Sequence, residues 1–277
     1  MHLFHKVSQN CSQITTEEYS SSFSSAIRLL HRDLRKPIYN IYGFVRFADE
    51  IVDTFHDFDK KELLSQFKKE TYDSIERGIS LNPILNSFQL TVNKYAISND
   101  LIESFFQSME KDLNRNCYDA SGYQEYIYGS AEVVGLMCLI VFCEGDSKLF
   151  DNLKPHARSL GAAFQKVNFL RDIKNDTDLL NRSYFPGVDF GNFTPAIKSR
   201  IEAEITADFH HAYQGILKLP WKAKFGVYVA YKYYLSLFKK IRKISPARIM
   251  EERIRIPNYR KAMILVRAGV KNQLKLI

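Results

Sequence analysis

Residues 39–55 read YNIYGFVRFADEIVDTF, and this stretch decides the fold class. Its apolar residues recur at intervals of three and four, the spacing that places side chains on one face of an α-helix. These residues are Ile41, Phe44, Val45, Ala48, Ile51, Val52 and Phe55. The stretch therefore predicts an amphipathic helix that buries a wide apolar stripe.

The same helix carries a polar stripe beside the apolar one. Asp49 and Asp53 are one turn apart, about 6 Å along the axis, and Tyr42 and Arg46 precede them on the same face. Two carboxylates at this spacing repel each other by roughly 0.2–0.5 kcal/mol, so the helix gains no stability from the pair. Bound Mg²⁺ reverses this balance, because it takes oxygen ligands from one or two carboxylates and from substrate phosphates.

Residues 160–176, LGAAFQKVNFLRDIKND, repeat this arrangement. The polar side chains on this second helix face are Gln165, Asn168, Asp172 and Asp176, and Arg171 lies beside them. A single Asp-x-x-x-Asp pair usually marks a solvated helix surface. Two such pairs, each beside an apolar stripe, instead favour two acidic faces that meet across a cavity. The sequence thus predicts a site for Mg²⁺, or for Mn²⁺ in its place, and for a diphosphate.

The rest of the chain has the composition of a helical globular protein. It has 277 residues, of which 45% are hydrophobic and 25% charged, with only 12 Gly and 8 Pro. We therefore predict one all-α domain over residues 1–277, divided into about eight helices by Gly and Pro. The predicted breaks are at Pro37, Asn82–Pro83, Gly122, Gly145–Asp146, Pro186–Gly187, Pro220 and Pro246.

Cysteine usage and the apolar segments bear on location. Cys11, Cys117, Cys138 and Cys143 have neither metal-ligand nor redox spacing, which is typical of reduced cysteines in a cytosolic protein. The N-terminus lacks the apolar stretch of a signal peptide. The apolar run Val133–Cys143 is too short to cross a bilayer. We expect a cytoplasmic protein.

The net charge of +8 predicts an anionic partner, which could be nucleic acid, anionic lipid or a polyanionic substrate. No basic stripe with interleaved aromatic residues precedes residue 222, so we do not expect nucleic-acid binding. The basic C-terminal region is predicted to contact an anionic membrane surface peripherally. Its residues are Lys239, Lys240, Arg242, Lys243, Arg253 and Arg255.

The two polar stripes resemble the two aspartate motifs of the squalene/phytoene synthase family, and the chain is most similar to its bacterial phytoene synthases. Further similar segments follow in order, namely SSSFS at 20–24, YIYGSAEVVG at 126–135 and NRSYFP at 181–186. The resemblance runs from about residue 10 to about residue 265. One departure is Glu132, which stands where the family usually has a small residue.

The resemblance implies an all-α bundle of the isoprenoid synthase type with a central cavity. It also implies head-to-head condensation of two prenyl diphosphates through a cyclopropyl diphosphate. Catalytic roles fall to Tyr42, Arg46, Asp49, Asp53, Asp172 and Asp176. Metal-binding roles fall to Asp49, Asp53, Asn168, Asp172 and Asp176. Substrate-binding roles fall to Ser20, Ser22, Phe23, Ile27, Tyr126, Val133, Gln165, Asn168, Arg171, Tyr184 and Arg260.

Ile27 bears on substrate length, because it follows Phe23 by one helical turn along the expected cavity. A bulky aromatic residue at this position would suit a shorter tail, and Ile leaves room for a longer one. We therefore predict that two C20 geranylgeranyl diphosphates form phytoene, for carotenoid biosynthesis and without NADPH.

Two alternatives within the family stay open. The first is a dehydrosqualene or squalene-type synthase that uses farnesyl diphosphate, and squalene formation would also need a hydride from NADPH. The second is a non-catalytic member that acts as an assembly factor. The four aspartates, Arg46 and Arg171 argue against the second.

Overall fold

The computed structural model describes residues 1–114, 119–178, 184–186 and 193–274. These residues form α-helices and one π-helical turn, with no strand among them, which confirms the all-α prediction. The first seven helices are α1 (His2–Tyr19), α2 (Ser21–Ile27), α3 (Arg32–Asp53), α4 (Lys60–Arg77), α5 (Pro83–Tyr95), α6 (Asn99–Asn114) and α7 (Ala120–Ile127). The π-turn (Tyr128–Glu132) then leads into α8 (Val133–Cys143). The remaining helices are α9 (Ser147–Asp178), α10 (Pro195–Ile216), α11 (Trp221–Arg242), α12 (Pro246–Glu251) and α13 (Asn258–Gln273).

Local sequence signals account for many helix ends. The Ser20 hydroxyl accepts a hydrogen bond from the backbone N–H of Phe23 and so caps α2. Asn82 and Thr194 cap α5 and α10 in the same way, each followed by a proline at the first helical position. Gly78 ends α4 in the left-handed region, with a φ of 69°.

The number of helices differs from the prediction, because several helices end without Gly or Pro and two predicted breaks are helical. Pro37 lies within α3, where it removes a single helical hydrogen bond from a helix that packs along most of its length. Gly122 lies within α7. Ala96 ends α5 although it is not a glycine, with a φ of 53°. Gly187 lies outside the described residues.

The core is built around α3. Its Phe44 is fully buried, and its ring stacks on that of Phe88 with 3.9 Å between centroids. Phe105 lies against the same ring at 5.3 Å. Helix α8 packs against both α3 and α9, and α9 packs in turn against α10, α11 and the π-turn. The two helices that carry the aspartate motifs therefore lie on either side of α8.

The apolar run that begins at Val133 belongs to a longer helix, since α7 and the π-turn continue directly into α8. Within the described residues, the stretch Ala120–Cys143 is the one helix long and apolar enough to cross a membrane, judged by length and composition alone. Most of its apolar window is buried inside the protein, where it packs against α3, α6 and α9. Its burial is that of a core helix.

Candidate active site

A cavity of about 570 Å³ opens between the helices that carry the two aspartate motifs. Its walls come from α1, α2, α3, α6, α7, α8, α9, α10, α11, the π-turn and segments between the helices. One part of the wall is acidic and basic, a second is aromatic, and the remainder is apolar.

Three of the predicted aspartates line this cavity: Asp49 and Asp53 from α3, and Asp172 from α9. The fourth, Asp176, belongs to α9, but its side chain lies outside the described residues. Asp112 of α6 also lines the cavity and accepts a hydrogen bond of 2.6 Å from the Tyr126 hydroxyl. It lies outside both aspartate motifs, so neither motif could have identified it.

The carboxyl group of Asp49 lies in an environment that disfavours its charge. Burial raises its pKa, the Asp53 carboxylate raises it further, and the Arg46 guanidinium opposes both, which leaves the pKa at about 8. Arg46 itself forms an ion pair with Glu50 and lies 4.3 Å from the centre of the Tyr19 ring. A bound cation would relieve the repulsion between the two carboxylates.

Asp172 is held by two arginines. The Arg171 Nε atom lies 3.0 Å from its carboxylate oxygens, and the Arg253 Nε atom lies 2.7 Å from Oδ1. Arg253 lines the cavity although it follows α12, whereas the sequence predicts that it contacts a membrane surface. Its basic segment was visible in the sequence, but its distance from Asp172 was not.

Aromatic rings lie next to the charged part of the wall. Phe23 of α2 contacts Tyr42 and Tyr234, each with 5.6 Å between ring centroids. Tyr234 stacks on Phe164 at 3.9 Å, and its hydroxyl donates a hydrogen bond to Asn168 Oδ1 at 3.3 Å. Burial raises the pKa of Tyr42 to about 12, so its hydroxyl stays protonated at neutral pH. We name Phe23, Tyr42, Phe164 and Tyr234 the aromatic collar.

The remainder of the wall is apolar. Ile27 follows Phe23 by about one turn of α2, and Leu30 follows Ile27 by three residues; both line the wall. Other apolar lining residues are Leu139, Phe142, Leu153, Ile216 and Leu219. Burial raises the pKa of the Cys138 thiol in this wall to about 12, so it is uncharged. Cys11 and Cys143 are also free thiols, and Cys117 lies outside the described residues.

Most of the residues predicted from the sequence line this one cavity. They are Ser20, Phe23, Ile27, Tyr42, Arg46, Asp49, Asp53, Tyr126, Gln165, Asn168, Arg171, Asp172 and Tyr184. Three predicted residues do not line it. Ser22 is two residues from Ser20 and so lies on another face of α2. Val133 is fully buried beside its lining neighbour Val134, and Arg260 is exposed on α13.

Glu132, the departure from the family pattern, does not line the cavity. It is 7% exposed, and its Oε2 atom lies 2.5 Å from the Arg158 Nε atom of α9. The Arg158 guanidinium also lies 5.2 Å from the centre of the Tyr128 ring. The π-turn presents Ser130 and Ala131 to the cavity, while the charge of Glu132 is compensated by α9.

The donor atoms around the cavity fit a hard divalent cation. They are the carboxylate oxygens of Asp49, Asp53 and Asp172 and the side-chain oxygen of Asn168. In the described part of the chain, no three His, Cys, Asp or Glu side chains form a group that could hold a metal ion. The four side-chain oxygen donors suit Mg²⁺ that is shared with phosphate oxygens, because Mg²⁺ commonly binds through only one or two carboxylates plus substrate phosphates.

The squalene/phytoene synthase family model matches residues 16–194, so the chain belongs to this family. Its members condense two prenyl diphosphates head to head. The 4,4'-diapophytoene synthase of Staphylococcus haemolyticus is 26% identical over 208 residues, which cover 72% of this chain and 69% of the relative. The phytoene synthase of Arthrospira platensis is 26% identical over 287 residues, covering 94% of this chain and 92% of the relative.

Solved structures confirm the isoprenoid synthase fold. A dehydrosqualene synthase crystal structure matches with a TM-score of 0.83 at 19% identity, covering 99% of this chain and 98% of that one. A squalene synthase from Alicyclobacillus acidocaldarius matches with a TM-score of 0.75 at 19% identity. That match covers 86% of this chain and 94% of the other.

Proposed function

We propose that this protein is a Mg²⁺-dependent phytoene synthase that condenses two geranylgeranyl diphosphates head to head. One observation carries the proposal. Three motif aspartates and two arginines from α3 and α9 line one cavity whose remaining wall is aromatic and apolar. The charged end suits two diphosphates, and the apolar end suits two long hydrocarbon tails.

The residues that would hold Mg²⁺ are Asp49 and Asp53 on α3, with Asn168 and Asp172 on α9. Asp176 is added from the sequence motif alone. When bound, Mg²⁺ neutralises negative charge on the departing diphosphate. Arg46 and Arg171 line the same cavity and would donate charge-assisted hydrogen bonds to the diphosphate.

The reaction consists of two ionisations. In the first, the allylic C–O bond of the donor breaks, and its electron pair leaves with the diphosphate. The double bond of the acceptor attacks the resulting carbocation, and loss of one proton to the released diphosphate closes a cyclopropane ring. In the second, the C–O bond of this cyclopropyl diphosphate breaks. Rearrangement and loss of a second proton then give phytoene, so no reductant is consumed.

The aromatic collar has two tasks in this reaction. Its ring faces stabilise positive charge by cation–π attraction, which is worth about 2 kcal/mol or more when the site is desolvated. Together with the apolar wall, it also keeps water away from a cation that would otherwise be captured as an alcohol. Phe23 is central to it, because its ring contacts those of Tyr42, Phe164 and Tyr234.

The choice of C20 over C15 rests on the apolar part of the cavity. Ile27 lines the wall one turn beyond Phe23, and the lining continues to Leu30. An aromatic side chain at position 27 would occupy space that the aliphatic Ile leaves to the tail. The alternative is a C15 substrate, and it is favoured by the similarity to a 4,4'-diapophytoene synthase.

The test is incubation of the purified protein with C15 or C20 diphosphate and Mg²⁺, followed by identification of the hydrocarbon. We expect phytoene from the C20 substrate, unchanged by NADPH. Asp49→Asn should lower turnover by about a hundredfold or more, whereas Asp57→Asn, at an exposed aspartate beyond α3, should not.

Other outcomes would contradict the proposal in different ways. Turnover of farnesyl diphosphate alone would assign the protein to the dehydrosqualene or squalene-type synthases, and NADPH would then separate those two. No hydrocarbon from either substrate, together with no diphosphate release, would favour the non-catalytic assembly factor.

A further inference from the structure

Helix α13 (Asn258–Gln273) has an unusual surface. Five apolar side chains, from position 259 to position 274, follow one another at intervals of four, three, four and four residues. At 100° per residue they lie within about 80° of the helix circumference. All of them are between 46% and 66% exposed. We name this surface the α13 stripe, and its residues are Tyr259, Met263, Val266, Val270 and Leu274.

The opposite side of α13 faces the protein. Ala268 is buried, Ile264 and Leu265 are partly buried against the core, and the helix packs on α11. The Lys261 Nζ atom donates a hydrogen bond of 2.7 Å to the Ser21 hydroxyl of α2. The helix thus has one apolar side that packs on the fold and a second that is exposed.

Positive charge borders the α13 stripe. Arg260, Arg267 and Lys271 are exposed and project from one flank of the stripe, at about 80–120° around the helix from Tyr259. No acidic residue occurs after Glu252, whereas seven basic residues do. An exposed apolar stripe with cations at its edge is the pattern of a helix that lies in the plane of an anionic membrane surface.

Helix α13 lies close to the cavity. Lys261 contacts Ser21, and the adjacent Ser20 lines the cavity. Arg253, five residues before α13, also lines it and pairs with Asp172. A membrane contact at α13 would therefore lie close to the charged end of the cavity.

We propose that α13 docks this protein on an anionic lipid surface, with the α13 stripe inserted among the acyl chains and its basic flank on the headgroups. A second copy of the chain is a poorer occupant, because a two-fold dimer through the same stripe would bring the basic flanks of both copies to one interface. This proposal goes beyond the chemistry of the cavity and does not depend on which substrate is used.

The experiment is co-sedimentation of the full chain with two kinds of vesicle, one of phosphatidylcholine and one of phosphatidylcholine and phosphatidylglycerol in equal parts. We expect binding to the anionic vesicles that weakens in high salt. Val266→Asp should lower the partition coefficient by about tenfold or more. The double variant R267E/K271E should lower it by a similar factor, because it reverses two charges at the headgroups.

Matched controls separate the α13 stripe from general surface effects. Leu81→Asp changes an apolar side chain that is 91% exposed outside α13, and K61E/K69E reverses two exposed charges on α4. Both should bind the anionic vesicles as the wild type does. Circular dichroism, and turnover in detergent, would show that every variant is folded.

Three results would overturn the proposal. The first is equal binding of the wild type to both kinds of vesicle, or to neither. The second is undiminished binding by Val266→Asp. The third is that the wild type is a dimer which Val266→Asp dissociates, while the fraction of protein that co-sediments with vesicles stays the same. That result would assign the α13 stripe to self-association.

Discussion

At the scale of single residues, Asp49 shows how a group suited to cation binding can lower the stability of the folded protein when no cation is bound. Burial and, to a smaller extent, the Asp53 carboxylate disfavour its ionised form, and Arg46 compensates only in part. The folded protein without a cation therefore holds a proton on Asp49 at pH values where the unfolded chain has released it. The cost of ionising Asp49 appears as a dependence of stability on pH.

The sign of this dependence follows from the two pKa values. Below the ordinary pKa of 3.8 the group is protonated in both states, and between 3.8 and about 8 only the folded state keeps the proton. Raising the pH through this window therefore favours unfolding. We expect the melting temperature, measured in EDTA, to fall with pH in this range more steeply for the wild type than for Asp49→Asn.

The control for this prediction is Asp57→Asn, which removes an exposed carboxylate shortly after α3. It should leave the wild-type pH slope in place. Identical slopes for the wild type and Asp49→Asn would show that Asp49 ionises in the folded state as easily as in the unfolded one.

At the scale of elements, the π-turn between α7 and α8 shapes the cavity wall. It presents Ser130 and Ala131 to the cavity, and α9 approaches it so closely that a Cβ atom on Gly161 would lie 2.7 Å from the Ala131 carbonyl oxygen. Glu132 at the end of the turn is compensated by Arg158 of the same α9. The pair thus fixes the turn against the helix that carries the second aspartate motif.

Removing Arg158 should therefore destabilise the protein. Arg158→Ala leaves the buried Glu132 carboxylate without its cation, and since Arg158 is half exposed we expect a loss of about 2 kcal/mol in the free energy of unfolding, less than for a fully buried pair. The double variant E132A/R158A should recover part of this loss. Urea unfolding measures both.

Arg77→Ala provides the comparison, because Arg77 pairs with Asp73 at 3.7 Å on the exposed side of α4. That substitution should cost less than about 0.5 kcal/mol. Equal losses for Arg77→Ala and Arg158→Ala would mean that the Glu132 pair is no more than a surface contact.

At the scale of the whole molecule, the charged end of the cavity is assembled from distant parts of the chain. Asp49 comes from α3, Asp112 from α6, Asp172 from α9 and Arg253 from the segment after α12. Arg253 and Asp172 are 81 residues apart in sequence, yet they form an ion pair of 2.7 Å. The last part of the chain therefore contributes directly to the site.

We expect Arg253→Ala to lower kcat/KM by about tenfold, because a charge-assisted contact at the diphosphate end is lost. Arg255→Ala is the matched control. Arg255 is exposed two residues later, does not line the cavity, and contributes only its backbone carbonyl to Lys240. Equal kinetics for the two variants would remove Arg253 from the site, and unchanged melting temperatures would exclude a folding defect.

The sequence predicted much of this site because the decisive patterns are local. Residues four apart on a helix share a face whatever surrounds them, so the pairing of Asp49 with Asp53 and the helical class followed from spacing alone. The count of helices did not, since ends such as the one at Ala96 lack the Gly or Pro that usually marks them.

Only the tertiary structure decided which side chains share the cavity. It added Asp112, Tyr234 and Arg253 to the lining and left out Val133 and Arg260. The sequence alone does not separate Arg253 from Arg260, because both are arginines in the same basic segment. The physical reason is that periodicity determines the direction of a side chain relative to its own helix. Which helices meet, and across what space, depends on how all the apolar faces pack together.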